Sequence, residues 1–383
     1  MVQEIIQKFT DLYGRPPRVF RSPGRVNLIG EHTDYNEGFV LPAAIDKEIY
    51  FCIAPNGLDR TRICSFDLQK TAEFRLDDLE PAREHWQNYL LGVLAQFRKQ
   101  DLKLPNFDVV YGGNVPIGAG MSSSAAVDCG LAFGLNEIFG LGLDRFTMAK
   151  MCQKAEHEYA RVMSGIMDQF ANLFGKAEHV VKLDCRSLDY QYYPFDMSSF
   201  RIVLCDTRVK HSLASSEYNN RRSECEQGVA ILSRSAPGIK SLRDVTPELL
   251  EQHKEELPTI VYRRCFYVVH ENRRVLDACL DLENNDLVAF GKKMFQTHDG
   301  LRQDYEVSCE ELDFLVDQAR THESVIGARM MGGGFGGCTI NLVRKESVEA
   351  FISGISEAYH RQFNVRPETY VTAIVDGTAE LVS

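Results

Sequence analysis

What the sequence does not contain narrows its function first. Its 11 cysteines never come closer than 12 positions apart, so no CxxC pair exists to bind zinc or to cycle between dithiol and disulfide. Their odd number, and the apolar runs that hold Cys52, Cys205 and Cys338, fit free thiols packed as small hydrophobes in a reducing compartment. There is no lysine/arginine block and the net charge is -11, which argues against a nucleic-acid footprint or a polybasic membrane anchor. The opening run Met1–Tyr13 lacks the apolar core of a secretory leader, and no later run offers about 18 uncharged apolar residues. A cytoplasmic protein with no nucleic-acid or membrane partner is expected. Repeats, low-complexity tracts and Ser/Gly linkers are also missing.

What is present is an ordinary globular balance, 44% apolar and 25% charged, spread over 383 residues, too many for one comfortable core. Val2, Ile5, Ile6, Phe9, Leu12 and Tyr13 share one helix face, stopped by Gly14 and the prolines at 16 and 17. Extended segments are expected around 18–29, 38–42, 48–54, 61–66 and 107–111, and helices around 123–138, 145–160 and 166–174. Longer helical stretches follow strands near 179–184 and 200–206. The polar stretch Tyr193–Ser199 places a boundary between domains 1–196 and 197–383. Two α+β domains with a cleft between them is the architecture expected from the pattern, and the cleft is where a ligand would bind.

Three clusters carry chemistry. In the run Gly24–Gly38 a buried strand turns on Gly30 and then presents Glu31, His32 and Asp34 within four residues. Desolvated polar side chains so close together need hydrogen-bond partners, which a ligand bearing several hydroxyls would supply. The loop Pro116–Ala126 follows a strand and opens a helix. Its glycines permit close backbone approach, its three serines can reach phosphate or metal, and the free amides of a helix N-terminus attract anions. It is not a Walker loop, because the GxxxxGK[ST] lysine is absent. The third cluster, Gly327–Cys338, has five glycines in the six positions 332–337, which suits an unusual backbone conformation or close approach of a ligand, or an internal β-turn. Asp168, in Gly165-Ile166-Met167-Asp168-Gln169, falls in the first turn of a helix, and Glu156 lies 12 residues before it.

In this order and spacing the clusters resemble the GHMP kinases, and Gly24–Pro42, Gly165–Gln169 and Ser216–Asn219 resemble the galactose-phosphorylating branch of that family, over about Tyr13–Val375. The resemblance implies a two-domain α+β fold, ribosomal-S5-like in its first domain and ferredoxin-like in its second. It implies ATP-dependent phosphorylation of O1 of α-D-galactose by a monomer. By this similarity Glu31, His32, Thr33 and Asp34 hold sugar hydroxyls, with Tyr218 joining from the second domain. Gly118, Ala119, Gly120, Met121, Ser122, Ser123 and Ser124 cradle the phosphates of ATP, and Ser124 and Glu156 hold Mg2+. Asp168 faces the reacting hydroxyl with Arg25 beside it. The chain departs from the common pattern at Ser164, Met121 and Lys210, none of which removes a catalytic group. Two alternatives stay open at this point: N-acetylgalactosamine as substrate, or a sensor that binds sugar and nucleotide without turnover.

Overall fold

The computed structural model describes residues 1–209 and 214–381; Lys210 lies outside the described residues. The amphipathic start forms α1 (Val2–Tyr13), closed by Gly14 in the left-handed conformation with its N–H on the Thr10 carbonyl at 2.8 Å. Strands β1 (Arg18–Asn27), β2 (Phe39–Val40), β3 (Pro42–Pro55), β4 (Thr61–Ser65) and β5 (Lys70–Phe74) come next, then α2 (His85–Lys99) and β6 (Phe107–Gly113). Where two extended segments were expected across 38–54, most of the length is the single strand β3, which reaches from the ligand turn to the far edge of the sheet.

The main sheet runs β1-β3-β6-β4-β5, antiparallel except for β4 beside β6. Period-two alternation dresses its two faces differently. Ile49, Phe51 and Ile53 of β3 enter the main core, while Cys52 and Ala54 point to the other side against Ile5 and Phe9 of α1. The main-core face is covered by α3 (Ser123–Phe139), α4 (Arg145–Ala155), its π-helical continuation Glu156–Ala160, and α5 (Met167–Phe174). Two glycines let α3 sit close to the sheet: a Cβ on Gly130 would lie 2.2 Å from the Phe51 ring, and one on Gly134 would lie 2.7 Å from Ile53. Strands β7 (His179–Asp184) and β8 (Tyr190–Pro194) pair with β2 in a small second sheet.

The second half supplies β9 (Phe200–Asp206), helices α6 (Ala214–Ser235), α7 (Pro247–Gln252), α8 (Thr259–Glu283), α9 (Leu287–Gln303) and α10 (Glu310–Thr321), then β10 (Val325–Met330) and β11 (Cys338–Arg344). The chain ends through α11 (Val348–Phe363), β12 (Glu368–Thr372) and β13 (Ala379–Glu380). An antiparallel sheet β10-β11-β9-β12 carries α10 and α11 against Val203, Cys205 and Val343. Its opposite face, with Ile202, Leu204, Ile340 and Leu342, joins the main core, so the halves share one apolar interior. The tail then crosses back. β13 pairs with β1, and Thr378 completes a buried polar cluster with Ser22 and Asn172. Among the described residues no helix is long and apolar enough to cross a membrane.

The glycine contacts make opposite predictions for two alanine substitutions. Gly130→Ala should destabilise the protein by about 1–3 kcal/mol, because the methyl has to displace the Phe51 ring. Gly354→Ala, in the middle of α11 with nothing within 4 Å, should stabilise it by about 0.5–1 kcal/mol. Urea melts of the two variants would show the pair of signs.

Candidate active site

The site begins with an irregularity in β1. Its register against β3 shifts between Pro23 and Gly24, and Gly24 lies so close to the next layer that a Cβ there would stand 2.9 Å from the Met121 carbonyl. The bulge brings the Arg25 N–H to that carbonyl at 3.1 Å and aims the buried Arg25 side chain across the start of α5. Arg25 meets Asp168 in a two-pronged pair, Nε to Oδ1 at 2.7 Å and Nη2 to Oδ2 at 2.9 Å, while Nη1 donates to the Gly120 carbonyl. Burial works against the Arg25 charge, but Asp168 and Glu31 outweigh it and hold Arg25 above its ordinary basicity.

Opposite lies the turn after β1. Glu31 is buried, and its Oε2 accepts from Arg329 Nη2 at 2.6 Å and Asn27 Nδ2 at 3.2 Å. Arg329, fully buried on β10, also donates Nε to the Leu28 carbonyl at 2.9 Å. Helix α8 grips the same turn: Glu271 accepts the Gly30 N–H at 2.8 Å, Asn272 the Phe39 N–H at 2.9 Å, and Tyr267 donates to the Glu31 carbonyl at 2.9 Å. His32 takes a left-handed φ of 62° and turns its ring into the cleft, a conformation uncommon outside glycine that concentrates at functional sites.

Of the residues expected at the site, Arg25, Glu31, His32, Asp34, Ser124, Glu156, Asp168 and Tyr218 line one cavity of about 250 Å³. Asp34 starts a single 3₁₀ turn, and Gly165 packs so tightly on it that a Cβ there would lie 2.1 Å from Oδ2. Glu156 opens the π-helical stretch, which turns its carboxylate inward to accept from Ser164 Oγ at 2.8 Å. Tyr218 of α6 stands over His32, ring centroids 5.3 Å apart.

Other expected residues lie elsewhere. Thr33 does not line the cavity, because its hydroxyl is used on the Gly30 and Phe39 carbonyls and closes the turn. Ser122, expected on phosphate, donates instead to Asp168 Oδ2, and its φ of 54° sets the entry to α3. The Ala119 and Met121 side chains are fully buried, leaving only their backbone to a ligand. Gly118, Gly120 and Ser123 do not line this cavity either. Gly118 and Gly120 form the turn before α3, and Gly120 abuts Met331 and Gly332 of the third cluster, while Ser123 is the first residue of α3. A separate opening of about 550 Å³, lined by Asn114, Pro116 and Ile117 together with Arg208, Glu368 and Tyr370, lies on the outer side of this loop.

Several residues that shape the site escaped the sequence reading: Arg329, Tyr35, Tyr305 and the α8 trio of Tyr267, Glu271 and Asn272. A lone arginine in the otherwise apolar strand β10 was the available signal for Arg329. The electrostatics reflect crowding. Burial and then the nearby Asp168 carboxylate lift Asp34 to about 7, and the same two causes raise Glu156, restrained by hydrogen bonds from Ser164 and Ser124. Burial pushes His32 down to about 3, so its imidazole is neutral at physiological pH.

A carboxylate held by an arginine thus stands beside the amides of a helix start and across a cleft from a polar turn. The GHMP kinases N-terminal domain matches residues 88–176 and the GHMP kinases C-terminal domain residues 278–361. A mevalonate kinase from Methanococcus jannaschii shares the fold, with a TM-score of 0.65 at 15% identity over 94% of this chain and 99% of that one. The ligand turn narrows the class, since the galactokinase galactose-binding signature matches residues 7–55. A galactokinase of Roseiflexus sp. (strain RS-1) is 40% identical over 99% of this chain and 97% of its own length. Another, from Clostridium acetobutylicum, is 40% identical over 100% and 99%. The crystal structure of Lactococcus lactis galactokinase complexed with galactose superposes with a TM-score of 0.95 at 32% identity, covering 99% of each chain. The chain belongs to the galactokinase family, and its two domains have the GHMP kinase fold.

The raised Asp34 gives a pH test. Folded, it titrates near 7; unfolded, it returns to the usual 3.8. Between these values the native state binds the extra proton, so the contribution of Asp34 to stability is lost as pH rises from about 4 to about 7. Asp34→Asn removes that loss. The melting temperature of the variant minus that of the parent should be small near pH 4 and should grow to a plateau above about pH 7. A difference that stays flat with pH would refute the reading.

Proposed function

We propose that the cleft transfers the γ-phosphoryl group of ATP to O1 of α-D-galactose, giving α-D-galactose 1-phosphate and ADP. The observation that carries this reading is the Asp168 carboxylate, fixed on both oxygens by Arg25 and bounding the same cavity as Glu31, His32 and Asp34. The cavity is small and cannot hold a sugar and a nucleotide together, so the nucleotide extends along the loop Gly118–Ser124 with its phosphates toward the start of α3.

Glu31, Asp34 and His32 bind the sugar hydroxyls, with Tyr218 covering the ring. Asp168 accepts the O1 proton as the oxygen attacks the γ-phosphorus and the bond to ADP breaks. Arg25 fixes the Asp168 carboxylate through two hydrogen bonds and offsets charge on the transferring group. Ser122 completes the hold on Asp168, so the base meets the hydroxyl in one orientation. Glu156 and Ser124 offer hard oxygen donors at the cavity wall, and the crowded Glu156 carboxylate gains from a neighbouring cation, so these two residues suit Mg2+. When bound, Mg2+ neutralises phosphate charge. All 11 cysteines are unpaired, which supports a reducing cytoplasm as the working compartment.

Two substitutions test the roles. Asp168→Asn should lower kcat by about 100-fold or more, while galactose affinity measured by calorimetry stays within a few-fold. Near-normal turnover would remove the base role. Glu156→Gln should raise the Mg2+ concentration needed for half-maximal rate and leave galactose affinity nearly unchanged. A lower sugar affinity with unaltered Mg2+ dependence would instead make Glu156 a structural residue.

A further inference from the structure

Behind His32 runs a chain of polar atoms that phosphoryl transfer does not require. His32 Nδ1 lies 2.7 Å from the Tyr35 hydroxyl, which lies 2.7 Å from the Tyr305 hydroxyl, which in turn lies 3.3 Å from Cys225 Sγ. The far end is dry: Tyr305 and Cys225 are both fully buried. Tyr305 is fixed from the backbone side, its carbonyl accepting Arg221 Nε at 2.7 Å. The other imidazole nitrogen, Nε2, is buried beside the cavity without a well-formed hydrogen bond, and the Gly333 backbone carbonyl lies close enough to His32 to favour its protonated form.

A neutral imidazole has one N–H and one lone pair, so whatever Nδ1 does in the chain, Nε2 must do the reverse. Two senses are possible. Nδ1–H may be written as donor to Tyr35, with the hydroxyl protons then pointing toward the sulfur. Alternatively Cys225 donates to Tyr305, Tyr305 to Tyr35, and Tyr35 to a bare Nδ1, which leaves the proton on Nε2. The links at the sulfur are weak in either sense, because sulfur is both a poor donor and a poor acceptor. The decisive link is at the ring. A phenol is the better donor of that pair and an imidazole nitrogen the better acceptor, so Tyr35 O–H donating to Nδ1 is the stronger bond.

The cavity needs this outcome. Glu31, a carboxylate paired with Arg329, can only accept, so it takes the proton of a sugar hydroxyl and leaves the lone pairs of that oxygen unmet. On the proposed reading of the cavity as a galactose site, we infer that Tyr35, backed by Tyr305, is a positioning residue that holds His32 as the Nε2–H tautomer, so that His32 donates to a sugar oxygen. The burial that keeps the ring uncharged across the working pH range supports this, because a doubly protonated ring would need no such selection.

The experiment is in two parts on the full-length protein. Histidine-selective 15N spectra of the unliganded parent should show His32 with a protonated Nε2 and a bare Nδ1, and Tyr35→Phe should shift both nitrogens toward the opposite tautomer. Steady-state kinetics should then show Tyr35→Phe raising the galactose KM by roughly threefold to tenfold, with less change in kcat and none in the ATP KM. Tyr305→Phe should move the galactose KM the same way by less. A parent His32 protonated on Nδ1, or a Tyr35→Phe protein with an unaltered galactose KM, overturns the inference. The tautomer is read on the parent alone, so a poorly folding variant does not obscure it. If the galactose reading itself were wrong, the parent would show no turnover of galactose, whereas a failed tautomer assignment leaves that turnover intact.

Discussion

Most of this site is organised around one buried guanidinium. Arg25 spends its donors on both Asp168 oxygens and on the Gly120 carbonyl, and it can do so only if β1, α5 and the loop before α3 converge. Arg25 and Asp168 are 143 positions apart in the chain. A buried charge is tolerable only when paired, and removing one partner of such a pair typically costs about 3–5 kcal/mol. The pair therefore stabilises the convergence that makes the site, and the bulge at Pro23/Gly24 is the local distortion that lets Arg25 reach it. The same contact fixes the carboxylate proposed as the base, so on that proposal stability and catalysis rest on the same hydrogen bonds.

A second pair does for the two halves what Arg25 does within the first. Arg329 arrives from β10, 298 positions beyond Glu31, and ties the ligand turn to the second sheet. Helix α8 adds its grip on Gly30, Glu31 and Phe39. The cleft is thus an interface in which the first half presents most of the cavity-facing groups, and the second half adds Tyr218 and fixes the backbone of the turn opposite. Four carboxylates (Glu31, Asp34, Glu156 and Asp168) meet one cavity, with Arg25 lining it and Arg329 just behind. Burial first, and then the Asp168 carboxylate, make Asp34 and Glu156 hold protons more strongly than usual, and four acidic side chains against two guanidinium groups leave a space that suits hydroxyl protons or a cation.

How much of this the sequence disclosed follows from distance along the chain. Glu31, His32 and Asp34 were readable because they are adjacent and their backbone turns once at Gly30, and the Gly/Ser loop because strand, glycines and helix start are contiguous. The glycine cluster at 332–337 was read as a place of unusual backbone conformation or close ligand approach; Gly332, Gly334, Gly336 and Gly337 do take positive φ, and the close approach is by the Gly120 backbone to Gly332, which local sequence did not show. Local sequence could not say where a hydroxyl points: Thr33 closes its own turn and Ser122 serves Asp168. Nor could it show Arg329 or Tyr305, whose partners lie hundreds of residues away and whose burial depends on the assembled core. The strand pattern was legible in type but not in extent, because β3 stays extended through polar Asp46–Glu48, where its register with β1 breaks and distant segments hold it: the Asp46 N–H donates to the Ala373 carbonyl at 3.1 Å and the Glu48 N–H to Asn114 Oδ1 at 2.7 Å.

The returning tail has a consequence for how the protein is made. Arg18 and Glu380 pair across 362 positions, and the buried hydroxyl and amide of Ser22 and Asn172 obtain Thr378 as partner only when that late segment arrives. On the ribosome, the edge of β1 stays open and this polar cluster incomplete until residues 378–380 have emerged, although β1, β3 and α3 emerged long before. The first sheet therefore leaves the exit tunnel with an unprotected edge, and the nascent chain depends during that interval on its β3 pairing and its helical cover to stay out of intermolecular strand contacts.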